Sequence, residues 1–98
     1  MDEKKIYEEL TQDGHTKVWI FYQLLHTDEE NDNTTERFII DAQGCILARM
    51  ICPPKGCDWT YLPWTSRRPF LPLPANAVEV DLTDREGAEA LIQWMSFI

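Results

Sequence analysis

The chain has 98 residues, 44% of them apolar, and sets seventeen Asp and Glu against nine Lys and Arg for a formal net charge of −8. That length predicts a single domain, residues 1–98, able to bury a core without disulfide or metal staples, and the apolar content excludes wholesale disorder. The negative balance argues against a nucleic-acid backbone or an anionic membrane as the main partner, while it permits a basic protein partner.

The opening MDEKKIYEEL lacks the apolar run of a signal peptide. No stretch approaches the roughly 18 apolar residues that span a bilayer. Three cysteines, an odd count, predict reduced thiols rather than a disulfide framework, and so a cytoplasmic location.

Residues 3–10 admit two readings. Ile6 and Leu10, four apart, suit a helix, whereas Ile6, Glu8 and Leu10 also alternate as in a strand. Asp13-Gly14 is a hairpin signal ahead of an extended segment, so a short strand entering a hairpin is the expectation. KVWIFYQLL, residues 17–25, is the strongest strand pattern in the chain. Val18, Ile20, Tyr22 and Leu24 point one way and Trp19, Phe21 and Leu25 the other, which places this strand inside a sheet covered on both faces.

HTDEENDNTTE, residues 26–36, is polar throughout and reads as an exposed loop. Its Asp28, Glu29, Glu30, Asp32 and Glu36 lack the glycine and final carboxylate of a helix-flanked calcium loop, with Ile39 where that last ligand would fall. RFIIDAQGCILARMIC reads as a hairpin turning at Asp41-Ala42-Gln43-Gly44, with Ile46, Ala48 and Met50 on one face of the return strand and Leu47 and Ile51 on the other. AVEVDL, residues 77–82, alternates as an edge strand or a strand with one wet face. Thr83 and Glu86 have the spacing of a capping box. The helix that follows runs to about Phe97, and its stripe of Ala88, Leu91, Ile92, Met95 and Ile98 should lie on the sheet. The expected fold class is α+β: an antiparallel meander of four to five strands, a C-terminal helix packed on one face, and a long Pro-rich crossover loop.

That crossover, CPPKGCDWTYLPWTSRRPFLPLP (residues 52–74), holds all six prolines. Trp59, Tyr61, Trp64 and Phe70 interleave there with Lys55, Arg67 and Arg68. These residue types dominate interface hot spots, because each joins a large apolar area to a polar handle, and prolines reduce the entropy lost on binding. Trp59, Tyr61, Trp64, Arg67, Arg68 and Phe70 are therefore the candidate partner-binding residues, although aromatic residues in a crossover also serve to cover a sheet. Cys52 and Cys57, four residues apart, would need Cys45, His15 or His26 to complete a zinc site. The spacing is not the usual one and no second ligand pair exists, so neither metal nor cofactor is expected. His15 and His26 sit in no nucleophilic or phosphate-cradling motif and read as solvent-exposed.

The function expected is that of a non-enzymatic protein-binding module, an accessory or inhibitor-type small acidic protein acting by surface occupation. The alternative is a small-ligand-binding or regulatory sensor domain with a pocket between the sheet and the Pro-rich loop. One helix covers one face and the Pro-rich segment covers the other unevenly, and the apolar patch left over predicts a two-fold homodimer.

Overall fold

Alternating apolar side chains over Lys17–His26 form β1, the long strand on which the rest is registered. The computed structural model describes residues 2–26, 33–52, 58–63, 65, 67 and 74–96. In chain order the elements are α1 (Glu3–Gln12), β1, β2 (Asn33–Ile40), β3 (Ile46–Cys52), β4 (Asp58–Tyr61), β5 (Val78–Asp81) and α2 (Arg85–Ser96). The five strands form one antiparallel sheet in the order β4-β3-β2-β1-β5, so the α+β class with a C-terminal helix is observed. Most of the Pro-rich crossover falls outside the described residues.

Residues 3–10 are helical, not a strand. Asp2 caps α1 by accepting from the Lys5 amide at 2.8 Å, and Ile6 and Leu10 share one buried face. Gly14, at φ +85°, ends the helix. Its amide donates to the Thr11 carbonyl and the His15 amide to the Leu10 carbonyl, the two bonds of a glycine-terminated helix stop. The Asp-Gly signal is therefore real, but it closes a helix where a hairpin was expected.

Both helices pack on one face of the sheet. Ile6 and Leu10 of α1 and Leu91 and Met95 of α2 join Val18, Ile20, Ile39, Ala48, Met50 and Val80 in a single core. Leu47 also belongs there. The pairing slips between Ile39 and Ile40, which oppose Ala48 and Ile46, so Leu47 is an extra residue on β3. The bulge sends Ile46 to the opposite face and brings Leu47 and Ala48 to the same core, correcting the simple alternation expected there.

The second face carries Trp19, Phe21, Phe38, Ile40 and Ile46. Phe21 and Phe38 stack at 4.8 Å. Phe21, Phe38 and Ile40 are only 5%, 3% and 0% exposed within the one chain, so the leftover apolar patch that motivated a homodimer is absent at these positions. Glu36 lies on the next row of this face, within β2 and buried, rather than in an exposed loop. Its carboxylate accepts from Gln23 Nε2 at 2.8 Å and from the Arg49 guanidinium, the pairing a buried charge requires.

The α2 cap also differs from the expected box. The Thr83 hydroxyl donates to Asp81, and Asp84 takes the capping position: its carbonyl accepts from Ala88 at 2.9 Å and its carboxylate from the Glu86 amide at 3.4 Å. At the other end α2 has no basic residue in its last turn. Arg37 of β2 supplies the cation, donating to the Trp94 carbonyl, while Trp59 Nε1 donates to the Met95 carbonyl at 3.3 Å. Phe97 and Ile98, expected at the end of this helix, lie outside the described residues.

Candidate functional site

Three of the six candidate partner-binding residues are described, and they do not form one exposed surface. Trp59 is 3% exposed and lies 5.9 Å from the Trp94 ring, inside the core. It caps a helix from beneath and cannot present itself to a partner. Tyr61 is half-buried, and the Arg67 side chain is only 4% exposed. Trp64, Arg68 and Phe70 lie outside the described residues.

Tyr61 and Arg67 meet at the C-terminal end of α1. Because β4 pairs with β3 at Ala48, Tyr61 is carried beneath α1 and donates from its hydroxyl to Asp13 Oδ2. Arg67 donates from one terminal nitrogen to the same carboxylate oxygen at 3.1 Å and to the Tyr61 hydroxyl at 3.0 Å, and from Nε to the Leu62 carbonyl at 3.0 Å. Its guanidinium also stands 5.3 Å from the Tyr61 ring centre. The Tyr61 hydrogen bond, reinforced by Arg67, holds the Asp13 carboxyl below its ordinary range. Burial and the neighbouring carboxylate push the Tyr61 phenol up to about 12. His15 is half-buried, not exposed as expected, with its Nε2 buried and making no hydrogen bond. Burial, then the charge of Arg67, lowers its pKa. An ionised acceptor, a phenol held protonated and a guanidinium tie α1 to β4 and to the chain beyond it. The carboxylate, the phenol and the guanidinium are bonded to one another, so the arrangement is a tether between elements.

The exposed apolar side chains lie elsewhere. Tyr22 and Val78 are 55% and 58% exposed, the large hydrophobic residues that stand in solvent among those described. Val78 pairs with Ile20, so Tyr22, two residues further along β1, is its diagonal neighbour on the same face. Tyr22 in turn pairs with Arg37, whose guanidinium lies 5.2 Å over the half-buried Trp94. Burial lowers the Arg37 pKa. Tyrosine, arginine and tryptophan thus adjoin at the rim where the helices stop covering the sheet.

Neither a protein-family model, nor a curated protein, nor a solved structure matches this chain. Its site must be read from its own geometry. Among the described residues no three His, Cys, Asp or Glu side chains converge where they could share a metal ion. Cys57 lies outside them, and Cys45 carries a free thiol. No helix of the described residues is long and apolar enough to cross a membrane. Sequence reasoning missed the Tyr22–Val78 pair because adjacency across β1 and β5 depends on register. The one local hint is that polar Gln23 follows Tyr22, marking where burial fades along β1.

Proposed function

We propose that this chain is a non-enzymatic protein-binding module that acts by occupying a surface of a basic partner. The observation that carries the reading is the solvent-exposed Tyr22–Val78 pair beside Arg37 and Trp94. An exposed aromatic and aliphatic pair on a rigid sheet gives a centre that can be desolvated at little cost in ordering. The net charge of −8 supplies long-range attraction toward a positive partner, which raises the association rate more than the final affinity.

Of the residues singled out in the crossover, Tyr61, Trp64, Arg68 and Phe70 remain part of this proposal. Trp59 and Arg67 leave it, because both are buried. A cytoplasmic location belongs to the same reading and rests on the odd cysteine count.

Affinity capture from the native host tests the proposal, comparing the natural chain with a Tyr22→Glu/Val78→Glu variant at rising salt. Capture of a basic partner should weaken with salt, and the double variant should lose at least about tenfold in affinity. Undiminished capture by a folded double variant would remove the patch as the binding surface.

A further inference from the structure

The strand β1 has ten residues and β5 only four. Their pairing runs from Lys17↔Asp81 to Ile20↔Val78 and stops there, while β1 continues against β2 as far as His26↔Asn33. A turn in which the Ala77 amide donates to the Pro74 carbonyl at 3.1 Å brings the chain into β5 and ends its line at Val78. On the β5 side, therefore, the half of β1 from Tyr22 to His26 is paired with no strand among the described residues.

The direction of its backbone groups follows from one hydrogen bond. The Leu82 amide donates to the Thr16 carbonyl at 2.8 Å, so Thr16 and Leu82 form a hydrogen-bonded pair of the β1–β5 ladder. Such pairs recur every second residue in an antiparallel ladder. Val18 and Ile20 are then the next to face β5, and Tyr22, Leu24 and His26 turn their N–H and C=O groups the same way. Phe21 and Gln23 spend theirs on β2. Among the described residues nothing pairs with this length of edge, about 17 Å at roughly 3.3 Å per residue. It lies in line with β5 and begins beside the exposed Tyr22 and Val78 side chains.

We propose that this half-edge, Tyr22–His26, receives an extended, basic segment of a protein partner as a sixth strand. The inference rests on the protein-binding reading and specifies its mode. Strand addition draws affinity from main-chain hydrogen bonds and specificity from alternate side chains. A side chain opposite Tyr22 on the helix-bearing face would sit between Tyr22 and Val78 and cover the area both leave exposed. Positive charge is assigned to the partner by complementarity. The chain carries −8 overall, and the residues that connect β1 to β2 include Asp28, Glu29, Glu30 and Asp32, next in sequence after this edge.

The probe is a short synthetic peptide of alternating lysine and valine with blocked ends, compared with the same peptide N-methylated at every backbone amide. Both carry the same charge and side chains, but only the first can extend a ladder. In hydrogen exchange followed by NMR, the plain peptide should slow the Tyr22 and Leu24 amides by at least about tenfold. It should leave Phe21 and Gln23, already bonded to β2, nearly unchanged. The methylated peptide should protect neither. Tyr22→Pro removes an outward donor without touching the β2 ladder and should abolish the effect. Tyr22→Lys, at an exposed position, should weaken binding by charge repulsion while the fold is kept.

Equal binding of the two peptides without amide protection would overturn strand addition and leave the protein-binding reading standing, since that reading is tested separately, by partner capture and its salt dependence. Absence of binding by the plain peptide would overturn the proposal as well. So would protection of the same amides by the chain alone at higher concentration, because the occupant would then be a second copy.

Discussion

One oxygen of Asp13 accepts from two donors that lie far along the chain, the Tyr61 hydroxyl and the Arg67 guanidinium. Folding lowers the Asp13 pKa below its ordinary 3.8, so in acid the folded chain binds fewer protons than the unfolded one. The stabilisation is complete above that ordinary value and drains as pH falls beneath it. Tyr61 runs the other way. Its phenol is raised from 10.0 to about 12, so the folded chain keeps a proton that the unfolded chain has lost, and stability declines as pH climbs through that interval. Followed by ultraviolet absorbance, one of the three tyrosines should ionise late, near pH 12, and Tyr61→Phe should remove that step. Asp13→Asn should bring the late step earlier, since the Asp13 hydrogen bond helps raise it, and should cost about 1 kcal/mol at neutral pH. Absence of the late phenol step would show that the cluster does not hold in solution.

Between elements, the tightest approach is that of α2 to the end of β5. A Cβ at Gly87 would stand 2.0 Å from the Asp81 carbonyl oxygen, a backbone atom that cannot swing aside. Alanine would favour the helix by about 1 kcal/mol through propensity alone. The overlap requires α2 to move by more than a side-chain adjustment, so Gly87→Ala should still destabilise, by about 2 kcal/mol net. A thermal melt in which the variant equals or exceeds the natural chain would mean that the α2–β5 contact is looser than described. Nothing in the sequence announces Gly87 as a contact residue, because its role depends on where β5 ends. By contrast, β1, the β2–β3 hairpin, β5 and α2 were all legible, since each repeats an apolar period over enough residues to exclude its rival. The first helix was not, because Gly14 offers the same left-handed turn to a hairpin and to a helix stop. Neither was β4, four residues inside a Pro-rich stretch, nor the Leu47 bulge, which obeys no period at all.

For the whole molecule, the expected single helix on one face becomes two helices side by side on that face, with α1 reaching β4 and α2 reaching β5. The second face was legible as apolar, but which residues lie buried there depends on the strand pairing. The candidate site moved for the same reason. Residue types pointed to the crossover, whereas exposure, set by how far the helices extend over the sheet, points to Tyr22 and Val78.

The sheet order also has a kinetic consequence. The first four strands are joined by neighbours in sequence, but β5 returns to β1 to pair Val80 with Val18, roughly sixty residues away. Closing so long a loop costs entropy before any contact compensates for it, so the β1–β2–β3 meander should assemble first and β5 with α2 should dock late. Mutations on the two sides of that divide should then act on different rates. Val80→Ala, in the late ladder, should chiefly accelerate unfolding and leave the folding arm of a denaturant chevron nearly in place. Ile39→Val, inside the early meander, should slow folding itself. A Val80 variant that folds as slowly as its stability loss demands would mean that the distant return of β5 is already made at the barrier.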